Sequence, residues 1–148
     1  NLDHKVFNYA HPQTCDDNPN HYRHNYGLYL WKLDLDGTCT YCFIDTPNSW
    51  NDFDFQRGNC NIAYPTHNGV IGTLALVGLR EAIDDVRYAT TLRMEIDKAR
   101  LKDSRRAKQK ADEAFAWLED MDTRSVNLDE VRSEMIQRIL ELKNLFYS

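Results

Sequence analysis

The sequence predicts an α/β fold of parallel strand–helix units followed by a run of helices, and three observations carry that prediction. Lys5 to Ala10 and Thr38 to Ile44 read as strands on either side of a helical stretch. Between them Tyr22, Tyr26, Tyr29, Leu30 and Leu33 recur at the intervals of one helix face. From Val70 onward, apolar residues keep helical spacing almost to the last residue. Two strands joined through a helix make a βαβ unit. Two parallel strands are not an independent sheet, because both faces and both edges need cover. Further strands are therefore expected from elsewhere.

Taken in order, Lys5 to Ala10 is a short strand ending in polar residues, and His11 to Asn20, with two prolines, is a loop. Asn20 to Leu35 is the crossover helix. Gly27 inside it costs ~1 kcal/mol relative to Ala and reads as a position of close packing. Asp36-Gly37 is a turn, and Thr38 to Ile44 is dense in β-formers. Asp45 to Gly69 reads as one long loop, with Pro47, Gly58, Pro65 and seven Asn or Asp residues between Asp45 and Asn61. Loops of that length are uncommon unless they are functional. Trp50, Phe53, Phe55 and Tyr64 make this one the most informative stretch.

A long helix is expected from Val70 to about Leu101, striped by Ala75, Leu79, Ala82, Val86 and Ala89. A second follows near Asp103 to Met121 on Ala107, Ala111, Ala114, Phe115 and Leu118. The last opens on Asn127 as cap with Glu130 three residues on, and buries Leu128, Val131, Met135, Ile139, Leu142 and Leu145. The character of the chain changes near residue 97, which sets expected domains of 1–97 and 98–148.

Composition narrows the classes. Hydrophobic residues at 42% and charged residues at 28% describe a globular chain. A net charge of -5 argues against nucleic acid as a partner. No apolar run approaches the ~20 residues of a membrane helix. The first residues, Asn1-Leu2-Asp3, lack a methionine, which fits an upstream segment either removed or not included, and leaves localisation open. Cys15, Cys39, Cys42 and Cys60 are too sparse for a disulfide scaffold. Cys39 and Cys42 have knuckle spacing, but in a strand residues three apart face opposite ways. His11, Cys15, His21 and His24 fit no zinc motif. No metal and no cofactor is expected. The basic run Lys98, Arg100, Lys102, Arg105, Arg106, Lys108 and Lys110 reads first as a solvated helix face.

Several segments resemble one family. They are Arg23-His24-Asn25-Tyr26-Gly27-Leu28-Tyr29-Leu30-Trp31-Lys32, Asp36-Gly37 with the strand to Phe43, Trp50-Asn51-Asp52, Ala63-Tyr64-Pro65, and above all Gly78-Leu79-Arg80-Glu81-Ala82-Ile83-Asp84-Asp85-Val86-Arg87-Tyr88. Over roughly residues 5 to 97 the chain resembles the end of bacterial glycoside hydrolase-like proteins similar to glycoside hydrolase family 123, the β-N-acetylgalactosaminidases. Ala82 stands where members often have Gly, and Val86 and Arg87 where they have Glu or Tyr, which marks a divergent branch. The resemblance implies a (β/α)8 barrel, of which this chain supplies the last βαβα units followed by C-terminal helices. A full barrel needs ~250 residues. It also implies retaining, substrate-assisted hydrolysis supported by an adjacent Asp-Glu pair, on a strand upstream of this chain. No catalytic residue is therefore assigned here. Asp84, Asp85 and Glu81 fall in mid-helix outside the barrel.

Barrel sites lie at the C-terminal ends of strands and in the loops that follow. Sugars offer apolar C–H faces and rings of hydroxyls, which suit flat aromatics beside Asn and Asp. Trp50, Asn51, Asp52, Asp54 and Tyr64 after the second strand, with Asn8 and Tyr9 ending the first, are the expected substrate-binding residues. Arg80, Glu81, Asp85, Arg87 and Tyr88 read instead as ions and rings that pin the helix. The expected function is the C-terminal part of a glycoside hydrolase-like protein that hydrolyses or binds glycans, N-acetylhexosaminides among them. Its partners are a carbohydrate and the N-terminal part of the barrel. Two other classes stay open: a non-catalytic carbohydrate-binding relative of the barrel, and a helical interaction module using the basic run.

Overall fold

A computed structural model of the chain describes residues 4–9, 18–40, 43–44, 50 and 61–146. They form two compact units, Asn1–Ile83 and Asp84–Ser148, divided within one long helix. The fold is mixed α/β, with two sheets of two strands each among the described residues.

In the first unit, β1 (Phe7–Tyr9) pairs in parallel with β2 (Gly37–Cys39), with Phe7 opposite Gly37 and Tyr9 opposite Cys39. The crossover carries α1 (Pro19–Tyr26) and α2 (Leu28–Lys32). The expected strand–helix–strand unit is thus present, with two differences. The crossover helix is broken at Gly27, whose φ of -110° and ψ of -121° lie outside the helical region. A Cβ there would stand 2.6 Å from the carbonyl oxygen of Arg23 and 3.3 Å from Ala82. Backbone contact with the neighbouring helix therefore outweighs helical continuity at that residue. Among the described residues the second strand covers Gly37–Cys39 rather than Thr38 to Ile44, with Thr40 outside it and Phe43 and Ile44 in a bend. Tyr41, Cys42, His11 and Cys15 lie outside the described residues.

A clasp fixes the register. The Val6 N–H donates to Asp36 Oδ2 at 2.7 Å, and the Asp36 N–H donates back to the Val6 carbonyl at 2.9 Å. Lys5 Nζ sits 3.1 Å from Asp36 Oδ1. The Val6 N–H, and after it Lys5, hold the Asp36 carboxyl below the usual carboxylate range. Val6, Phe7 and Tyr9 are all exposed, Phe7 at 63%.

The second sheet is a hairpin that the long-loop reading passed over. β3 (Ala63–Thr66) runs antiparallel to β4 (Gly69–Gly72), with Tyr64 opposite Ile71 and Pro65 opposite Val70. His67 and Asn68 make the turn, and Gly69 takes φ +150°, a conformation that side chains disfavour. Val70 and Ile71 therefore belong to β4, and α3 starts four residues later than expected, at Leu74, running to Arg100. The Thr73 hydroxyl ties that start to the hairpin by donating to the Ile62 carbonyl at 2.8 Å.

Tyr22, Tyr26, Ala75, Leu79 and Ala82 form the core where α1 meets the first turns of α3. Tyr22 and Tyr26 stack with centroids 5.7 Å apart. Gly78 is pressed against the Pro19 backbone, so a Cβ there has no room. The Tyr26 hydroxyl is buried with no hydrogen-bond partner among the described residues.

In the second unit, residues 84–100 of α3 pack with α4 (Arg105–Asp120) and α5 (Leu128–Asn144). Their buried positions follow a spacing close to 3.5 residues: Ala89, Leu92, Ile96 and Ala99, then Ala107, Ala111, Ala114 and Leu118, then Leu128, Val131, Met135, Ile139 and Leu142. The alanines let the backbones approach closely. Arg93 meets Glu119 and Arg100 meets Asp112, so α4 runs antiparallel to α3. Arg132 meets Asp85 and Lys102 meets Leu145, so α5 runs parallel to α3. The caps match the sequence in part. The Ser104 hydroxyl accepts from the Ala107 N–H. Asn127 Oδ1 accepts from the Asp129 N–H, but Glu130 accepts from the Asn127 side-chain amide rather than from its backbone. Asp85, whose side chain is 1% exposed, takes the Arg132 guanidinium at 2.7 Å, and that guanidinium lies over the Tyr88 ring.

Three substitutions test this packing. Tyr26→Phe removes a buried hydroxyl that has no partner among the described residues, and is expected to stabilise the first unit by about 1 kcal/mol. Gly78→Ala should destabilise it by about 2 kcal/mol or more, since Pro19 must move. Near-ultraviolet dichroism during thermal unfolding reads both, and equal midpoints in the two variants would contradict the packing described. In the second unit, Arg132→Leu should cost roughly 3 kcal/mol in urea unfolding, because the guanidinium opposite a buried carboxylate is lost.

Candidate functional site

The candidate site grows from the hairpin. Antiparallel pairing holds Tyr64 and Pro65 in register with Ile71 and Val70, and Trp50 lies against that strand. Its indole Nε1–H donates to the Pro65 carbonyl at 3.0 Å. The Trp50 and Tyr64 rings have centroids 5.2 Å apart and are inclined by 31°. Two consequences follow. The polar edge of the indole is already satisfied by backbone, which fixes the orientation of the ring. The ring itself stays 56% exposed, so an aromatic face is offered to solvent instead of being packed away. Large rings normally bury their area, and a rigidly held exposed one is suited to a flat apolar ligand face.

Of the residues expected from sequence, Trp50 and Tyr64 are brought together directly. Asn8 and Tyr9 sit side by side on β1. The Asn8 carbonyl accepts from Thr38 Oγ1 at 3.1 Å and from Cys39 Sγ at 3.8 Å, while Tyr9 is exposed at the end of the strand. Asn51, Asp52 and Asp54 lie outside the described residues. The Phe43 carbonyl accepts from the Ile62 and Ala63 N–H groups, so the segment after β2 is anchored at the base of the hairpin. The participant that sequence reasoning missed is Pro65, which acts through its carbonyl. Its signal was available in His67-Asn68-Gly69, turn formers ending in glycine and flanked by Tyr64, Thr66, Val70 and Ile71.

Among the described residues, no group of three or more His, Cys, Asp or Glu side chains is placed to hold a metal ion. Cys39 is a free, exposed thiol. Of the helix ions, Asp85 and Tyr88 meet Arg132, and Asp84 pairs with Arg87 at 2.9 Å on the surface. No helix among the described residues is long and apolar enough to cross a membrane. No protein-family model, no curated protein and no solved structure matches the chain.

The Asp36 clasp gives the strand bearing Asn8 and Tyr9 a pH dependence. Its carboxyl is held below its ordinary value of 3.8, so the interaction is fully present above that pH and is lost as pH falls through the depressed folded value. In nuclear magnetic resonance titrations, the Val6 amide shift of the native chain should follow the Asp36 carboxyl, with a midpoint below 3.8. In Asp36→Asn that amide should stop responding to acid. A Val6 amide that titrates equally in both chains would contradict the clasp.

Proposed function

We propose that the chain is the C-terminal part of a glycoside hydrolase-like (β/α)8 barrel protein that binds or hydrolyses glycans, with its acid/base pair outside this chain. In this reading residues 1–97 complete the barrel and 98–148 extend it with helices. The observation that carries the proposal is the Trp50–Tyr64 pair, tied to the hairpin backbone and with Trp50 56% exposed. A pyranose ring presents a C–H face of matching size, and stacking of that kind supplies affinity without a charged partner. The parallel β1–β2 pair supports the same reading, since it has exposed apolar residues and no further strand within the described residues. In a barrel, both of its edges and faces would be covered.

The partners of this reading are a carbohydrate and the N-terminal staves of the barrel. N-acetylhexosaminides are the sugar class that the family resemblance favours. A barrel relative that keeps the binding face but has lost the acid would use the same platform.

Titration of the chain with N-acetylgalactosaminides and a panel of other glycans, followed by indole fluorescence, tests the proposal. The expected result is saturable quenching that Trp50→Ala abolishes and Tyr64→Ala weakens about tenfold, as loss of one stacking ring worth ~1–1.5 kcal/mol implies. Binding that survives Trp50→Ala, or a panel without a single ligand, would overturn it.

A further inference from the structure

An asparagine followed by glycine can close on itself, because the glycine amide nitrogen reaches the side-chain carbonyl carbon and no Cβ hinders the approach. An aspartate before glycine can form the same cyclic imide. Of the six glycines in the chain, Gly69 follows Asn68 and Gly37 follows Asp36. The fold treats the two places differently. At the first, Asp36 is held: the Val6 N–H donates to its Oδ2 at 2.7 Å and Lys5 Nζ stands 3.1 Å from its Oδ1. Those contacts keep the carboxyl ionised, the form in which it is the poorer electrophile. Gly37 lies against the Phe7 ring, with no room for a Cβ. At the second, Asn68 is exposed in the turn between β3 and β4, and its side-chain amide has no hydrogen bond among the described residues. Nothing stands within 4 Å of where a Cβ on Gly69 would sit. Freeing the Gly69 nitrogen requires opening one terminal rung of the ladder, that with Thr66, and terminal rungs open at lower cost than central ones.

We propose that Asn68 is a self-modification site: the Gly69 nitrogen closes on Asn68, ammonia is expelled, and the isoaspartate that results breaks the register that seats Trp50. In the first step the Gly69 N–H gives its proton to water or hydroxide, and its nitrogen bonds to Asn68 Cγ. The Cγ–Nδ2 bond then breaks, and ammonia leaves with a proton taken from water. In the second step water adds to one carbonyl of the imide. Opening on the Cγ side restores an ordinary peptide bond with aspartate at position 68, and opening on the main-chain side gives isoaspartate. The sum is one water consumed and one ammonia released, with no change of oxidation state. Isoaspartate carries the main chain through the former side-chain Cβ, one methylene longer. Turn length and conformation fix hairpin register, so the added methylene shifts Thr66 against Gly69. Tyr64 and Pro65 move with that strand, and the Pro65 carbonyl is the group that takes the Trp50 indole at 3.0 Å. Both products also place a new carboxylate in the turn. Nothing in this chemistry requires a glycan on Trp50.

Incubation of the full chain at mildly alkaline pH tests the proposal, with ammonia release measured and isoaspartate located by peptide mapping after enzymatic methylation. Residue 68 is expected to convert first, and faster as pH rises, because hydroxide frees the nitrogen. Asp36 should stay aspartate in the folded chain and isomerise faster once urea has unfolded it. Asn68→Gln, whose longer side chain closes the ring slowly, should lose most of the ammonia release. The Trp50 indole N–H resonance should move in the aged native chain and hold still in aged Asn68→Gln. Isoaspartate at residue 36 ahead of residue 68, or ammonia release undiminished in Asn68→Gln, would overturn the proposal. So would an indole resonance that stays in place while residue 68 converts.

Discussion

Parallel strands cannot be joined by a tight turn; they need a crossover, and that crossover must pack on the sheet it serves. The first unit is organised by this requirement. β1 and β2 lie side by side only because α1 and α2 carry the chain back, and those helices hold their place through Gly27 against Ala82 and Gly78 against Pro19. The Asp36 clasp then sets which residues face each other at the start of the pair. Every position considered for ligand contact depends on this arrangement. Asn8 and Tyr9 end the first strand, and the segment leaving the second is anchored through Phe43 to the hairpin that carries Tyr64 and holds Trp50.

That sheet is also left partly open among the described residues. Val6, Phe7 and Tyr9 face water, and the described residues add no third strand. The second unit is different: three helices close on a continuous seam, with a buried Asp85–Arg132 pair joining two of them.

Much of this was legible in the sequence, for reasons that differ by element. The helices of the second unit were readable because a heptad-like alternation of small and large apolar residues has no other stable solution, and Ser104 and Asn127 mark their starts. The strand–helix–strand order was readable because β-formers flank a helical period. The break at Gly27 was half legible: the glycine announced close packing, but which backbone it met depends on Ala82, far along the chain. The bounds of β2 were not legible, since Thr38 to Ile44 is uniformly dense in β-formers. The hairpin was hidden by Pro65, a residue that argues against strands, although an edge position tolerates it. Trp50 and Tyr64 stood out by composition alone. Their stacking, and the carbonyl that fixes the indole, required the hairpin.

Amide hydrogen exchange, residue by residue on the chain as it stands, tests the central claim that the β1–β2 pair is an open end of a larger sheet while the helical unit supports itself. The account predicts that the amides of Phe7–Tyr9 and Gly37–Cys39 exchange nearly as fast as an unstructured chain, whereas those of Leu92, Ile96 and Met135 exchange orders of magnitude more slowly. Strand amides as protected as those helical ones would describe a sheet complete in itself, and would contradict the account.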